Sequence, residues 1–197
     1  MQIKDEILKI FGRKGTMQIM EFLNRHKKVQ YNQMKQFTNT HTLNRRIREL
    51  LKYQLVEHHL NKTKPRREWY EITQKGRKVL QCAQELLESV KTLGIQEKQN
   101  KIDEITRMEL LALLGSKDTK EILQYLHKHE KVQYTDFDLN ISVSTMNKRL
   151  RKLLLFGMVE HCIAKEPRRR EWYEITENGK NVLKIMEDMT RLAEIMH

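Results

Sequence analysis

The pattern of apolar and polar positions in the first part of the chain predicts four successive helices. Apolar residues recur there at intervals of three and four, which is the spacing of amphipathic helices. The fourth helix, capped by Asn39 and reaching about Tyr53, would bury the stripe Leu43, Ile47, Leu50 and Leu51. The elements before it are expected, in order, as helix Ile3–Phe11, helix Thr16–His26, extended segment Lys28–Gln30 and helix Asn32–Phe37.

The next two segments have the composition and spacing of β-strands. Leu55–Leu60 and Glu68–Ile72 are predicted to pair as a hairpin, because alternating apolar and polar residues suit a half-buried strand. The basic segment Asn61–Arg67 would connect them. A long amphipathic helix is then expected to open at Gly76 and to end near Gly94.

A seven-residue stretch of this region returns later in the chain. Arg67–Thr73 reads Arg-Glu-Trp-Tyr-Glu-Ile-Thr and recurs 103 positions later as Arg170–Thr176. A period of this length suits a small domain used twice rather than a solenoid unit. The same offset also matches Lys28–Tyr31 with Lys131–Tyr134, Val56–His58 with Val159–His161, and single residues such as Gly12, Thr16, Asn44 and Arg48.

We therefore predict a tandem duplication. The first repeat is expected at residues 1–94, the linker at 95–101 and the second repeat at 102–197, each repeat forming one domain. The elements of the second repeat are expected in the same order: helices Ile102–Leu114, Thr119–Lys128, Tyr134–Leu139 and Ser142–Leu155, a hairpin around Glu166–Arg170, and a helix from Gly179 to the end.

The apolar stripe of the last helix is longer than one small domain needs. It consists of Val182, Leu183, Met186, Met189, Leu192 and Met196. Exposure of such side chains would cost about 1.5–3 kcal/mol each. We expect the stripe to pack on Ile102–Leu114, on Leu86–Val90 of the first repeat, or on a second chain, as in a homodimer.

The chain is basic, and the distribution of its charges matters more than their sum. It has 197 residues and a formal net charge of +12. Residues 1–98 carry 21 basic and 10 acidic side chains, whereas residues 99–197 carry 17 and 16. The segments Thr42–Arg67 and Thr145–Arg170 nevertheless share a net charge of +6. Two equally basic segments on scaffolds of different charge indicate a polyanionic partner for both repeats.

Several kinds of site and protein are disfavoured by what the sequence lacks. It has no run of 18 apolar residues and no basic-then-apolar N-terminus, so we expect a cytoplasmic protein without a membrane partner. No phosphate-binding loop or activated nucleophile motif is present, which predicts neither an enzyme nor a cofactor. Cys82 and Cys162 occupy unmatched positions, and the pairs His58-His59 and His127-x-His129 lack a third ligand, so no metal site is expected.

The predicted fold is mainly α with small β-hairpin wings, an α+β arrangement of two tandem winged helix-turn-helix domains. One group of residues in the second repeat supports this interpretation. It comprises Leu114-Gly115-Ser116-Lys117, Thr119, Ile141-Ser142, Arg149-Leu150-Arg151, Leu153, Gly157-Met158-Val159, Pro167, Glu171–Thr176 and Gly179. Together these residues resemble the HxlR-type branch of the MarR-like winged-helix regulators, and the first repeat resembles it more weakly. The resemblance implies a winged-helix fold and DNA binding.

The candidate DNA-binding residues lie on the two capped helices and on the basic connections of the hairpins. The first exposed helical turns would meet base edges through Thr40, His41, Asn44, Arg45, Ser144, Asn147 and Lys148. Later turns would meet phosphates through Arg48, Lys52, Arg151 and Lys152. The wings would reach the backbone or a minor groove through Lys64, Arg66, Arg67, Arg168, Arg169 and Arg170.

Three alternatives stay open at the level of sequence. The basic helices could be merely solvated surfaces. Trp69, Tyr70, Trp172 and Tyr173 could stack on single-stranded bases, although strand alternation favours core packing for one residue of each pair. The tandem domains could also form a protein-interaction module within a larger assembly. The sequence favours a double-stranded DNA-binding transcription regulator of a bacterium or archaeon, since an interaction module does not require basic segments in both repeats.

Overall fold

The fold is mainly helical, with two small antiparallel β-hairpins. A computed structural model describes residues 6–61, 67–91, 104–166 and 168–194. The first repeat contains α1 (Glu6–Phe11), α2 (Thr16–Arg25), α3 (Tyr31–Met34), α4 (Thr40–Lys52), β1 (Val56–Asn61), β2 (Arg67–Ile72) and α5 (Gln74–Lys91). The second contains α6 (Glu104–Leu114), α7 (Lys117–His129), α8 (Val143–Leu155), β3 (Val159–Ala164), β4 (Arg170–Ile175) and α9 (Glu177–Glu194).

The predicted caps of α4 and α8 are confirmed. The Asn39 side chain accepts a hydrogen bond from the backbone nitrogen of Thr42 at 2.9 Å. In the second repeat, Ser142 Oγ accepts from the backbone nitrogen of Thr145 at 3.2 Å. Both caps satisfy an amide that has no partner within its helix. The apolar faces are buried, with Leu43, Ile47 and Leu50 in α4 and Met146, Leu150 and Leu153 in α8.

Each hairpin is extended by one residue from the segment that follows α2 or α7. Val29 forms an antiparallel bridge to Tyr70, with nitrogen-to-oxygen distances of 3.1 and 2.8 Å. The bridge lies in the segment Lys28–Gln30, which was predicted to be extended, although its partner was not predicted. Val132 and Tyr173 form the equivalent bridge in the second repeat at the same two distances. These bridges tie α2 and α7 to their hairpins.

The helix predicted at Tyr134–Leu139 is wrong, because only Tyr134–Asp136 form a 3₁₀ turn. This segment contains two aspartates and a threonine, whose side chains compete with helical hydrogen bonding. Its Asp136 carbonyl accepts a hydrogen bond from Tyr125 Oη at 2.6 Å instead. The matching helix of the first repeat is shorter than predicted and ends at Met34 rather than Phe37.

The two repeats pack on each other through equivalent helices, α1 against α6 and α5 against α9. A Cβ atom at Gly12 would lie 2.7 Å from the backbone nitrogen of Ala112, and one at Gly115 would lie 2.7 Å from that of Lys9. Gly12 and Gly115 are 103 positions apart, as are Lys9 and Ala112. The close approach is therefore reciprocal, as in an isologous dimer interface.

The packing of the α9 stripe agrees with one of its three expected locations. Val182, Leu183, Met186 and Met189 are buried, and Leu192 is partly buried. The helix that covers them from the first repeat is α5, with a smaller contribution from α1. Met196 lies outside the described residues, as do Gly94 and the expected linker 95–101. In the part of the chain that the structure describes, no helix is long and apolar enough to span a membrane.

Candidate nucleic-acid interface

The residues of α4 that were predicted to meet DNA form one exposed strip. Positions separated by four residues share a helix face, and the buried apolar stripe lies on the opposite face. The exposed residues of the strip are Thr40, His41, Asn44, Arg45, Arg48 and Lys52. The strip therefore presents amide and guanidinium groups, which suit adenine edges and guanine edges or phosphates respectively.

Neighbouring groups position some of these side chains. Tyr31 Oη donates to Asn44 Oδ1 at 2.7 Å, which orients the amide from the adjacent α3. Arg48 Nε donates to the Asn44 carbonyl oxygen at 3.3 Å. Arg45 Nε lies 3.3 Å from Glu49 Oε1, although the Arg45 side chain is 59% exposed. Among the described residues, Arg48 has no carboxylate partner, so its charge is available to a phosphate.

Arg46 does not belong to the basic surface, although it contributes to the net charge of Thr42–Arg67. It is 7% exposed and donates to the Lys14 carbonyl oxygen at 3.2 Å. It also pairs with Glu49 Oε2 at 2.8 Å, and Arg13 pairs with the same carboxylate. Arg46 therefore attaches α4 to the turn between α1 and α2, and the exposed charge of the first repeat is smaller than the sequence count implies.

The corresponding strip on α8 is also exposed, except at its last member. Ser144, Asn147, Lys148 and Arg151 are exposed, and with Val143 and Lys152 they line one open depression. Lys152 is only 32% exposed at its side chain, and its Nζ lies 3.9 Å from Glu109 Oε2 of α6. Lys152 is thus turned partly away from the strip. Lys152 occupies the position equivalent to Glu49. Arg149, the equivalent of Arg46, therefore lacks that carboxylate, and its buried Nε has no hydrogen-bond partner among the described residues.

The wing residues are described only in part. Lys64 and Arg66 lie outside the described residues, whereas Arg67 is exposed and pairs in register with Asn61. In the second wing, Arg168, Arg169 and Arg170 are all exposed.

Arg169 differs from its two neighbours because it already has an anionic partner. It donates from Nε and Nη2 to Glu171 Oε1 at 2.9 and 2.6 Å. Its charge is partly neutralised, which leaves Arg168 and Arg170 as the stronger candidates for a phosphate in that wing.

The aromatic residues of the hairpins serve packing, as strand alternation favoured. Tyr70 is 8% exposed, and burial raises the pKa of its phenol. Its ring stacks on His58 at a centroid distance of 4.7 Å, and Tyr173 stacks on His161 at 4.8 Å. The repeated histidine therefore packs against the repeated tyrosine in both hairpins.

The tryptophans occupy the other face of each hairpin. Trp69 Nε1 donates to Glu71 Oε1 at 2.7 Å, and Lys28 Nζ lies 4.8 Å from the centroid of the indole ring. Trp172 makes the equivalent hydrogen bond to Glu174, with Lys131 Nζ 5.3 Å from its ring. Both indoles are partly buried and already paired, so neither is a free platform for a base.

One cluster of potential metal ligands was missed by the sequence analysis. Ligand atoms of Glu160, Cys162 and Glu174 lie within 4.8 Å of one another. Strand alternation places Glu160 and Cys162 on one face of β3, and the register sets Glu174 opposite Glu160, so pattern and register together contain the signal. Lys131 Nζ lies 3.9 Å from Glu174 and already supplies positive charge. Adjacent carboxylates and burial raise the pKa of the Cys162 thiol, with burial the larger cause.

Comparison with known proteins finds one family model to which the first repeat is similar. The model described as HxlR-like helix-turn-helix matches residues 10–99. These residues include α4 and the first hairpin, so the match falls on the repeat in which we expected the weaker resemblance. Searches of curated proteins and of solved structures found no match. The HxlR-like family consists of DNA-binding transcription regulators. Over residues 10–99 the chain is therefore similar to the HxlR-like helix-turn-helix family.

Proposed function

We propose that this protein is a sequence-specific transcription regulator that binds double-stranded DNA through two winged helix-turn-helix domains in one chain. The domains are residues 1–94 and 102–197, and their recognition helices are α4 and α8. The wings supply basic residues on either side. One observation carries the proposal: α4 and α8 expose an asparagine and basic residues at equivalent positions. Each helix is followed by a hairpin with the same strand register.

Roles within the interface follow from position along each helix. Side chains near the N-terminal end of a recognition helix reach base edges in the major groove, which gives sequence reading to Asn44, Arg45, Asn147 and Lys148. Arg48 and Arg151 lie a turn further along and bind phosphates. Arg67, Arg168 and Arg170 lie on the wings and bind the backbone or a minor groove. Thr40, His41 and Ser144 complete the first exposed turns.

The reciprocal packing of the repeats supports a single chain that acts as a dimer does. The Gly12 and Gly115 contacts are related by exchange of the two repeats, which is the property of a two-fold interface. The described part of the α9 stripe is covered within the chain, so no second chain is needed to bury it. Two recognition helices related in this way would read two half-sites in inverted orientation.

In-vitro selection from a random duplex library tests the proposal. We expect an enriched site with two related but unequal halves, because the two helices differ at equivalent positions. His41 corresponds to Ser144, and Arg45 corresponds to Lys148. Asn44→Ala should relax sequence preference in one half and Asn147→Ala in the other, each by about 1–3 kcal/mol of discrimination. Absence of any enriched sequence, together with binding that does not depend on salt, would instead favour the protein-interaction module.

A further inference from the structure

Two large apolar side chains of α8 are exposed to solvent, one at each end of the helix. Val143, the first residue of α8, is 68% exposed, and Leu155, the last residue, is 70% exposed. A single exposed apolar residue on a protein surface needs no functional explanation. Val143 differs from Leu155 because it lies in the first turn, where a recognition helix meets base edges if α8 binds DNA as proposed.

The side chains around Val143 are polar or charged. Val143 lines an open depression on α8 together with Ser144, Asn147, Lys148, Arg151 and Lys152. Among the described residues that line this depression, Val143 is therefore the one apolar member. The major groove of DNA likewise presents mostly hydrogen-bonding groups, and its apolar group is the C5-methyl group of thymine. An apolar side chain among polar ones matches that arrangement.

The Asn147 amide lies one helical turn from Val143, on the same side of α8. Residues four positions apart in a helix have Cβ atoms about 5–6 Å apart. The equivalent amide oxygen of Asn44 accepts a hydrogen bond from Tyr31 Oη, whereas the Asn147 side chain has no hydrogen-bond partner among the described residues. Both its donor and its acceptor are thus available to the N6 and N7 groups of an adenine.

We propose that Val143 contacts the C5-methyl group of a thymine in the half-site read by α8, close to an adenine bound by Asn147. This inference rests on the proposed function and specifies part of the DNA sequence for it. Base pairs are about 3.4 Å apart along the duplex, so side chains about 5–6 Å apart reach bases that are at most two pairs apart. The half-site of the second repeat should therefore contain an adenine and a thymine within about two base pairs of each other.

The first repeat has a related residue at the equivalent position. Thr40 corresponds to Val143 and is also exposed. Threonine has the same branched shape, but a hydroxyl group replaces one of the two methyl groups and can bond with several bases. Thr40 should therefore distinguish thymine less strictly than Val143 does.

Replacement of thymine by uracil tests the contact, because it removes the methyl group and keeps the hydrogen-bonding groups. The probes are duplexes of the selected site in which each thymine of one half is replaced singly by uracil. That half is the one whose sequence preference is relaxed by Asn147→Ala. We expect uracil at one position to weaken binding of the unchanged protein about fourfold, which corresponds to the burial of one methyl group. Fluorescence anisotropy measures the affinities.

Variants at equivalent positions assign the effect to Val143. Val143→Ala should reduce the preference for thymine over uracil at that position to less than about 1.5-fold. Val143→Thr should retain part of the preference, because one methyl group remains. Thr40→Val should raise the thymine preference in the other half of the site. The matched control is Leu155→Ala, which removes an equally exposed apolar side chain from the far end of α8 and should leave the preference unchanged.

A methyl group on a different base provides a second readout. With cytosine at the same position, binding should weaken, and 5-methylcytosine should bind about four times more tightly than cytosine to the unchanged protein. Val143→Ala should bind the two duplexes alike. The urea unfolding midpoint of Val143→Ala should equal that of the unchanged protein, because the side chain is exposed.

Three results would overturn the proposal and leave the proposed function standing. One is a selected half-site that lacks thymine, or in which uracil has no effect at any position. Another is a thymine preference that Val143→Ala retains in full. The third is an equal loss of the preference in Leu155→Ala. Absence of any selected site would instead overturn the proposed function together with this contact.

Discussion

At the scale of single residues, α4 and α8 carry opposite charges at one pair of equivalent positions, Glu49 and Lys152. Glu49 of α4 gathers Arg13, Arg45 and Arg46, whereas Lys152 replaces it in α8 and approaches Glu109 of α6. This arrangement buries Arg46, whereas Arg48, two positions later, is exposed and has no carboxylate partner among the described residues. Arginines of identical charge therefore have different roles within one helical turn.

Two variants separate the structural role of Arg46 from the proposed phosphate-binding role of Arg48. Arg46→Ala should lower the free energy of unfolding by about 2 kcal/mol, because two buried hydrogen bonds to charged or carbonyl partners are lost. Arg48→Ala should leave stability within about 0.5 kcal/mol and reduce the slope of log affinity against log salt by about one. Urea unfolding and fluorescence anisotropy on duplex DNA provide the two measurements. A reduced salt slope in a stably folded Arg46→Ala protein would contradict the structural role.

At the scale of secondary-structure elements, the Thr-x-x-Gly motif joins each hairpin to the turn after α4 or α8. Thr73 Oγ1 donates to the Gln54 carbonyl oxygen at 2.7 Å and accepts from the backbone nitrogen of Gly76 at 2.8 Å. The second repeat repeats both bonds with Thr176 as the shared residue, at 2.7 and 3.0 Å. The motif holds the base of each hairpin at a set position relative to the preceding helix, α4 or α8.

Glycine is required in this motif because of close packing. A Cβ atom at Gly76 would lie 2.0 Å from the Leu55 carbonyl oxygen, which forces the backbone to move. Gly76→Ala should therefore destabilise the fold by at least about 3 kcal/mol, despite the higher helix propensity of alanine. Lys78→Ala, at an exposed position of the same helix, is the control and should change stability by less than about 0.5 kcal/mol. Equal urea midpoints for the two variants would show that the turn accommodates a side chain easily.

Elements with a local cause could be predicted from the sequence, whereas features that depend on distant partners could not. The caps at Asn39 and Ser142 and the strand Arg67–Ile72 follow from side-chain chemistry and alternation within a few residues. Arg46 had the same local pattern as Arg48, and only its contact with Lys14 shows that it is buried. The cluster around Cys162 required the register of the second hairpin, which sequence alone does not specify.

At the scale of the whole molecule, the core continues from one repeat into the other. Leu8 and Phe11 of α1 are buried together with Leu111 and Leu114 of α6. The repeats therefore stabilise each other, and we expect them to unfold together rather than as separate units. This coupling also determines the relative orientation of α4 and α8.

The glycine contacts offer a test of that coupling. Neither Gly12 nor Gly115 has a positive φ angle, so alanine at either position is strained only by the opposing helix. We expect Gly12→Ala and Gly115→Ala each to cost about 1–3 kcal/mol by overpacking. Amide chemical shifts should change in both repeats for either variant. Ser116→Ala, next to the contact, is the control, and shift changes confined to the mutated repeat would contradict a reciprocal junction.

The last prediction concerns the unequal charge of the parts of the chain outside the two basic segments, and it rests on the proposed DNA binding by α4 and α8. Outside the two segments of +6, the remainder of residues 1–98 carries +5 and that of residues 99–197 carries −5. The Debye length is about 30 Å at 0.01 M salt and about 8 Å at physiological salt, so scaffold charge reaches the DNA mainly at low salt. Arg48→Glu should therefore weaken non-specific binding more than Arg151→Glu at low salt, because we expect the second repeat to attract phosphates less strongly.

The comparison requires only one random-sequence duplex and a series of salt concentrations. With about six to ten phosphate contacts, the unchanged protein should show a slope of log affinity against log salt of roughly −5 to −9. The difference between the two charge reversals should shrink as salt rises, since screening removes the long-range contribution first. Asn44 and Asn147 occupy equivalent positions, so the sequence preference of the two repeats should not be ranked in the same order as their non-specific affinity. Equal losses at low salt would mean that the scaffold charges lie too far from the DNA to act, and the two repeats would then contribute equally to non-specific binding.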